Sequence, residues 1–366
     1  MTFEVEIDNV GPKQWEEYAT SFADSNICQT WAYGSVCYGE SALSHLVLKD
    51  GQAVLAIAQV RIVKSPVIGG IAYMRWGPCW KPRNGQADPA VLRRMIRALR
   101  EEYVVRRGLF LRILPNEIEG DQATCSVFES EGFQWKPISE RTFFIDLTPS
   151  LETLHKGLDP RWRTDLNAAA RKGLTVVEGT GENLYDMFVS VNSEMRTRKG
   201  FVDFVSVDEH KRIQSLLPEA AKMKILIARG QNGPVAATVT SLIGETGHAV
   251  FWATNMEGRG MKGAYLLQWR TIEWLKAQGC RSYDLCGVDR KRNPGSYRFK
   301  AGLAGKNGRE AQRMGQFEAC ENLISCLAVR CGDFLRFNYR YAKYGGNKIA
   351  RIGLSTIFGR EPFGDE

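Results

Sequence analysis

One order of hydrophobic patterns occurs twice along this chain, and that repeat limits the available folds more than any single residue does. Ala53 to Val63 (AVLAIAQVRIV) is a continuous apolar run of strand type, and Gly69 to Trp76 (GGIAYMRW) is a second. Pro89 to Arg107 then places Val91, Leu92, Met95, Ile96, Leu99 and Val104 at helical spacing, and Leu109 to Leu114 reads as a third strand. The same order returns about 173–181 residues later: strands at Pro234–Ile243 and His248–Ala253, a helix over Ala264–Gln278, a strand over Ser282–Cys286. The two stretches share a pattern and no visible sequence, so the repeat is one of supersecondary plan. Two β-β-α-β units imply a mixed α/β chain of two domains, which 366 residues accommodate comfortably. The expected division is 1–147, 148–313 and a C-terminal segment 314–366. Thr148-Pro149-Ser150 after the strand Thr142–Leu147 marks the join as a helix start, and Gln316–Tyr344 is expected to be mostly helical.

Composition removes several classes of function. Nine scattered cysteines without CxxC spacing, and four histidines, argue against a zinc site, so no metal is expected. No run approaches the roughly 20 apolar residues that span a bilayer, and the acidic, alternating start Met1-Thr2-Phe3-Glu4 is unlike a secretory signal. Those features predict a cytoplasmic protein with reduced thiols and no membrane span. A net charge of +8 and a pI near 9.0 predict an anionic partner.

Much of that charge is local. From Gly287 to Arg313 eight basic residues (Arg290, Lys291, Arg292, Arg298, Lys300, Lys306, Arg309, Arg313) face two acidic ones (Asp289, Glu310), a net of +6. The segment begins at the end of the strand containing Tyr283-Asp284 and passes through the turn Asn293-Pro294-Gly295, which predicts a basic loop at a strand end, where α/β proteins place chemistry.

Tyr283-Asp284-x-x-Gly287, the Pro294-Gly295 turn and Tyr297-Arg298-Phe299-Lys300-x-Gly302 together resemble the C-terminal signature of the Fem-type, tRNA-dependent aminoacyltransferases of the GNAT superfamily. Gln29-Thr30-Trp31-Ala32-Tyr33-Gly34 resembles that family's N-terminal segment, and Arg198-Lys199-Gly200-Phe201 its Arg-x-Gly-Phe. The resemblance implies tandem GNAT-like domains with a C-terminal helical segment on the first. The coiled-coil arm of some members has no counterpart here. It also implies transfer of an amino acid from aminoacyl-tRNA to an amine of a peptidoglycan precursor or related acceptor, nucleotide-linked in the family, with no cofactor beyond the tRNA co-substrate.

By the same resemblance Lys300 meets a phosphate or the reacting carbonyl, Arg198 reaches a substrate phosphate, and Trp252, Tyr297, Arg298 and Phe299 shape the substrate groove. Asp284 and Asp289, near Lys300 in this scheme, are the candidate proton acceptors. Arg163 and Lys172 on a basic helix, with Arg290, Lys291 and Arg292, are the candidate tRNA phosphate contacts. Each has a plainer reading: a solvated lysine, a basic helix end, a core tryptophan, loop-capping aspartates. Alternation along the strand lets either Phe251 or Trp252 face the groove.

Two departures bear on the acceptor. The lysine that follows the N-terminal glycine in peptidoglycan members is Cys37 here, and the acidic residue before the proline of Leu111-Arg112-Ile113-Leu114-Pro115 is Leu114. The GNAT pyrophosphate loop is also altered: Arg259-Gly260-Met261-Lys262-Gly263-Ala264 has Lys262 at a glycine position. That change favours aminoacyl-tRNA over acetyl-CoA as donor. An acyl-CoA-dependent N-acyltransferase acting on a polysaccharide or sugar, and a non-catalytic RNA-binding protein, are the alternative functions.

Overall fold

The computed structural model describes residues 3–65, 69–199, 206–291 and 293–344; Arg292, Gly200 and Phe201 lie outside them. The chain forms two units. The first runs to Glu140 and resumes at Gln312, and the second is Arg141–Ala311.

The first unit contains β1 (Phe3–Ile7), α1 (Pro12–Ala19), α2 (Trp31–Tyr38), β2 (Leu43–Asp50), β3 (Ala53–Ser65), β4 (Gly69–Arg75), α3 (Pro89–Leu99), β5 (Phe110–Leu114), α4 (Gln122–Ser130) and β6 (Gln134–Lys136). The second contains β7 (Arg141–Asp146), α5 (Leu151–Gly157), α6 (Pro160–Ala170), β8 (Thr175–Gly179), α7 (Glu182–Lys199), α8 (Val207–Leu216), β9 (Lys224–Gly230), β10 (Gly233–Leu242), β11 (Thr246–Thr254), α9 (Met256–Gly260), α10 (Gly263–Ala277), β12 (Ser282–Gly287), α11 (Pro294–Ala304) and β13 (Gly308–Gln312). The chain then supplies β14 (Gln316–Ala319) and α12 (Leu323–Tyr344).

The sheets are ordered β1-β2-β3-β4-β5-β14-β6 and β13-β7-β12-β11-β10-β9-β8. Each has one central parallel pair, β4 with β5 and β11 with β12, flanked by antiparallel neighbours. A parallel pair needs a crossover, and α3 and α10 are those crossovers. In each sheet the strand inserted beside the parallel pair comes from outside the repeat: β14 after it in the first, β7 before it in the second.

That exchange corrects the expected boundary. The strand expected over 142–147 belongs to the second unit, not the first: β7 pairs with β12, Tyr283 opposite Ile145 and Asp284 opposite Phe144, so the division falls after Glu140. Gln316–Tyr344 is likewise not one helical stretch: Phe317 sits in β14, opposite Ile113 of β5, and stacks on Phe128 of α4 at 4.1 Å. A lone four-residue strand carries too little periodicity to be separated from an adjoining helix.

The apolar residues Leu323, Ile324, Leu327, Phe334 and Leu335, expected as the packing face of α12, are exposed. Its buried face is instead Ser325 and Val329, with Asp333 accepting from Arg112 at 3.0 Å. Cys320 and Cys326 are bonded to each other at the start of this helix, which corrects the expectation that every thiol is free. Among the described residues no helix is long and apolar enough to cross a membrane.

The first core is built around Leu46, Ala58, Met74, Leu92, Ile96, Leu111 and Phe317, between the sheet and α3. The second gathers Ile145, Leu154, Trp162, Ile272, Tyr283, Leu285 and Leu303. The Gln29-Thr30…Gly34 motif is part of the first frame. Gln29 Nε2 donates to Arg75 O and its Oε1 accepts from Gln59 N, both at 2.8 Å, stitching β3 to β4. Thr30 caps α2, and a Cβ at Gly34 would lie 2.7 Å from the Gln59 amide.

Candidate active site

The segment 287–313 is not a loop. After a short turn it forms α11 and β13, and the Asn293-Pro294 pair that suggests a turn is the start of a helix. Asn293 is an N-cap whose Oδ1 accepts from Ser296 N at 3.1 Å, and Pro294 occupies the first helical turn, where its missing N–H costs nothing. Lys300 is therefore a helix residue, only 7% exposed, and the expectation of an exposed loop lysine is corrected.

Its position is set from β12. Asp284, fully buried, accepts from the Thr142 hydroxyl and from Cys286 N, the latter at 2.8 Å. Cys286 is held at φ +56°, a left-handed conformation that costs a non-glycine residue about 1–3 kcal/mol. The ladder to β7 shifts register between Asp284 and Gly287. At this kinked strand end the Gly287 carbonyl accepts from Lys300 Nζ at 2.7 Å. Asp284 thus shapes the strand end that receives Lys300. Asp289 accepts from Lys291 N at 2.8 Å, fixing the following turn.

The lysine lies against an aromatic wall. Its Nζ is 5.1 Å from the Trp252 ring centroid, a cation–π distance. Trp252 meets Phe299 at 5.6 Å, Phe299 meets Tyr265 at 4.9 Å, and Trp162 meets both Tyr265 (5.0 Å) and Phe299 (5.7 Å). The choice left open by alternation is decided: Phe251 packs on Phe188 and His210 at 5.1 Å each, and Trp252 faces α11.

Tyr297 and Arg298 diverge. The Tyr297 hydroxyl donates to Glu310 Oε2 at 2.7 Å, Arg141 pairs with Glu310 at 2.6 Å, and Arg290 lies 5.7 Å from the Tyr297 ring. The Glu310 bond raises the tyrosine's pKa; burial would raise the carboxylate's, but its hydrogen bonds and the arginines hold it below the usual range. Arg298 is exposed and donates to Pro294 O at 3.2 Å. Arg313, counted in the basic segment, is 2% exposed and donates to Asn116 in the first unit. The +6 of the sequence is therefore not one surface.

Arg163 Nη1 donates to Lys156 O at 3.1 Å, and exposed Arg198 lies 3.4 Å from Thr254 O. Lys172 Nζ donates to Gly260 O at 2.8 Å, at the turn before α10. There Lys262 has φ +61°, a left-handed conformation that favours glycine, and caps nothing with its side chain. Its ammonium pairs with Asp165 of α6 at 3.1 Å. Burial first, then the bond to Asp165, pushes the Tyr265 pKa up to about 12. A carboxylate thus stands beside the start of α10.

The sequence reading overlooked Thr142, Trp162, Asp165, Tyr265 and Asn293. Only Asn293-Pro294 carried a local signal; the others come from elements remote in sequence.

Residues 161–301 match the family model of the acetyltransferase (GNAT) domain, so the second unit carries a GNAT acyltransferase domain. The fold as a whole is similar to the crystal structure of FemX, with a TM-score of 0.74 and 12% identity over 88% of this chain and 99% of that one. The chain has a Fem-like tandem GNAT fold. The C-terminal domain of a protein assigned as a lysylphosphatidylglycerol synthetase from Agrobacterium fabrum is similar at TM-score 0.52 (14% identity, 87% and 95% coverage). So is a conserved protein of unknown function from Bacteroides thetaiotaomicron VPI-5482, at 0.50 (11% identity, 87% and 99% coverage). No curated protein matches the chain.

Proposed function

We propose that this Fem-like GNAT protein is an aminoacyltransferase that moves an amino acid from aminoacyl-tRNA to an amine-bearing small-molecule or peptide acceptor. The observation that carries the reading is the altered start of α10. Lys262 stands where the resemblance expects a glycine, and its ammonium is already balanced by Asp165, so a coenzyme A pyrophosphate would meet a carboxylate beside the helix start and a lysine whose charge is spent. The polynucleotide donor needs no such cradle. Exposed Arg290, Lys291 and Arg298 suit the backbone of a tRNA end, which is held by charge.

An aminoacyl ester is already activated, so transfer depends on positioning and on neutralising developing charge. The acceptor amine attacks the ester carbonyl, forming the C–N bond and an oxyanion. The oxyanion collapses with loss of the ribose hydroxyl, which leaves with the proton the amine gives up. Lys300 stabilises the oxyanion; Trp252 and the Gly287 carbonyl fix where its ammonium points. Asp284, closed into its bonds to Thr142 and Cys286, serves as a positioning residue.

The test is transfer of a labelled amino acid from charged tRNA, with and without RNase pretreatment, beside a parallel assay with acetyl-CoA. RNase-sensitive transfer supports the reading. Transfer from acetyl-CoA that survives RNase overturns it in favour of the acyl-CoA-dependent enzyme, to which the GNAT family match also points. Tight tRNA binding without transfer to any amine leaves the RNA-binding alternative.

A further inference from the structure

The last helix of the first unit carries its apolar stripe on the outside. At about 100° per residue, Leu323, Phe334, Leu327, Cys331, Ile324 and Leu335 of α12 follow one another over an arc of about 120°. All six are exposed, the five large apolar ones by 56–77%. The opposite side makes the contacts with the rest of the unit. Ser325 Oγ donates to Gly108 O at 2.7 Å, Val329 packs with Ile71, Tyr73 and Phe110, and Asp333 pairs with Arg112 at 3.0 Å. A surface helix ordinarily buries its apolar stripe and shows its polar one, and α12 does the reverse. Five large apolar side chains in one stripe about 18 Å long exceed the scattered apolar residues of an ordinary surface, and mark a docking face.

Charge selects the partner. Along α12 stand four basic residues, Arg330, Arg336, Arg340 and Lys343, against Asp333, whose carboxylate is taken by Arg112. Residues 345–360 add Lys348, Arg351 and Arg360, with no acidic residue before Glu361. Exposed Arg330 is one turn from Leu327 and one from Phe334, at the edge of the stripe. Phe334, Phe337, Tyr339, Tyr341 and Tyr344 make the second half of the helix rich in aromatic residues, a type enriched at the boundary between lipid headgroups and acyl chains. An apolar stripe with basic residues around it holds a helix in the plane of an anionic bilayer surface. The fit is to lying on a bilayer, not crossing it, since no helix among the described residues is long and apolar enough to span one. A second copy would bring the same basic charge to this face, and RNA would gain nothing from its leucines and isoleucine.

We propose that the outer face of α12, with Leu327 and Phe334 at its centre and Arg330 at its edge, docks the protein on a membrane surface of anionic phospholipid. The apolar stripe enters the boundary between headgroups and acyl chains, and Arg330 meets lipid phosphates, with the basic residues that follow it in sequence adding to the attraction. The surface belongs to the first unit, so the inference is independent of the donor and acceptor that the second unit uses.

Co-sedimentation of the full chain with vesicles of phosphatidylcholine alone, and of phosphatidylcholine mixed with phosphatidylglycerol, tests this. Wild type should pellet with the mixed vesicles, far less with phosphatidylcholine alone, and less as salt rises. Leu327→Ser combined with Phe334→Ser should lower the partition coefficient at least about tenfold, since two large apolar side chains leave the interface. Arg330→Ala should lower it about threefold to fivefold, the scale of one basic residue near a charged surface. The substituted side chains are exposed, so the fold should be unchanged; if circular dichroism shows the double variant unfolded, Leu323→Ser combined with Leu335→Ser decides on the same criterion. Binding to mixed vesicles that is equal in wild type and the double variant overturns the proposal. So does equal partition into both kinds of vesicle, or wild type that binds neither. Where neither vesicle is bound, light scattering and tRNA binding on the same two proteins name the true occupant: self-association lost in the double variant gives the face to a second copy, and tRNA binding lost gives it to RNA.

Discussion

The two units run the same sequence of elements and use its crossover differently. In the first, α3 begins with Asp88 capping Ala90 N at 2.8 Å and Pro89 in its first turn. That is the ordinary closure of a helix start, and it leaves no place for an anion. In the second, α10 begins at a left-handed lysine with no side-chain cap, and charge is balanced through Asp165. The following helices differ in the same sense. Counted from the first residue, Phe128 of α4 and Lys300 of α11 hold corresponding places; Phe128 is core, stacked on Phe317, and Lys300 is an ammonium on a strand-end carbonyl. One scaffold therefore carries an apolar side chain or an ammonium at the same helix position, and a capped or an uncapped crossover helix.

The largest effect expected from breaking this contrast is at Lys300. Lys300→Met keeps the stem's packing against Trp252 and removes the ammonium, which should lower turnover by about 10²–10³, the usual cost of one oxyanion donor. Wild-type turnover in that variant would place Lys300 outside the reaction. Because the residue is buried, circular dichroism and a melting curve must accompany the kinetics.

The units should also part company with pH. In the first, burial pushes Glu16 and Asp24 up to about 7 from ordinary values of 4.5 and 3.8. Both native carboxyls keep protons that the unfolded chain releases, so their stabilisation is full at acid pH and is lost as pH rises towards 7. In the second, burial takes His210 down to about 4 from 6.5, so its stabilisation is present above 6.5 and is lost as pH falls towards 4. Each group changes stability by at most about 1.4 kcal/mol per pH unit within its window. Hydrogen exchange at pH 5 and 7, corrected for intrinsic rates, should show protection falling with pH in β2 and β3 and rising in β9 and β10. Parallel trends would contradict the assignment.

A smaller effect sharpens the difference between the crossover helices. Asp165→Asn removes the negative charge beside α10 and should raise coenzyme A affinity about fivefold to tenfold, the scale of one charge at a helix start. Micromolar binding of coenzyme A by wild type would show that the charge is no obstacle. The smallest expected difference separates the caps. Asp121→Ala in α4 and Asn293→Ala in α11 should each cost about 1 kcal/mol, shifting the melting temperature by about 2–4 °C. Only Asn293→Ala should also slow transfer several-fold, since α11 carries Lys300. Equal kinetics in the two variants would mean that α11 does not depend on its cap to place the lysine.

The core of each unit was legible because its strands and crossover helices are long and periodic. AVLAIAQVRIV and PVAATVTSLI lie within β3 and almost entirely within β10, and the helix at 264–278 is α10 within a residue. Short elements were not: β14 and β13 offer four and five residues, and their pairing partners lie far along the chain. The boundary moved for the same reason, since β7 is defined by β12, not by its neighbours in sequence. Among site residues, Trp252 is on the strand expected for it and Phe299 is on a helix where a loop was expected, and their meeting and the burial of Lys300 are products of packing.

What the sequence determined by itself is the class and the count: two β-β-α-β units and a charged segment after β12. Those properties are local, written in periodicity and in residue types at fixed spacing. Tertiary structure alone decided which charges act together. Arg313 left the basic segment to bond Asn116, Lys262 found Asp165 on α6, and Arg61 met Tyr38 from α2. A charge in a sequence has a sign; its partner, its burial and its energy follow only when separate elements are packed together, because solvation and Coulomb interaction depend on distances in space.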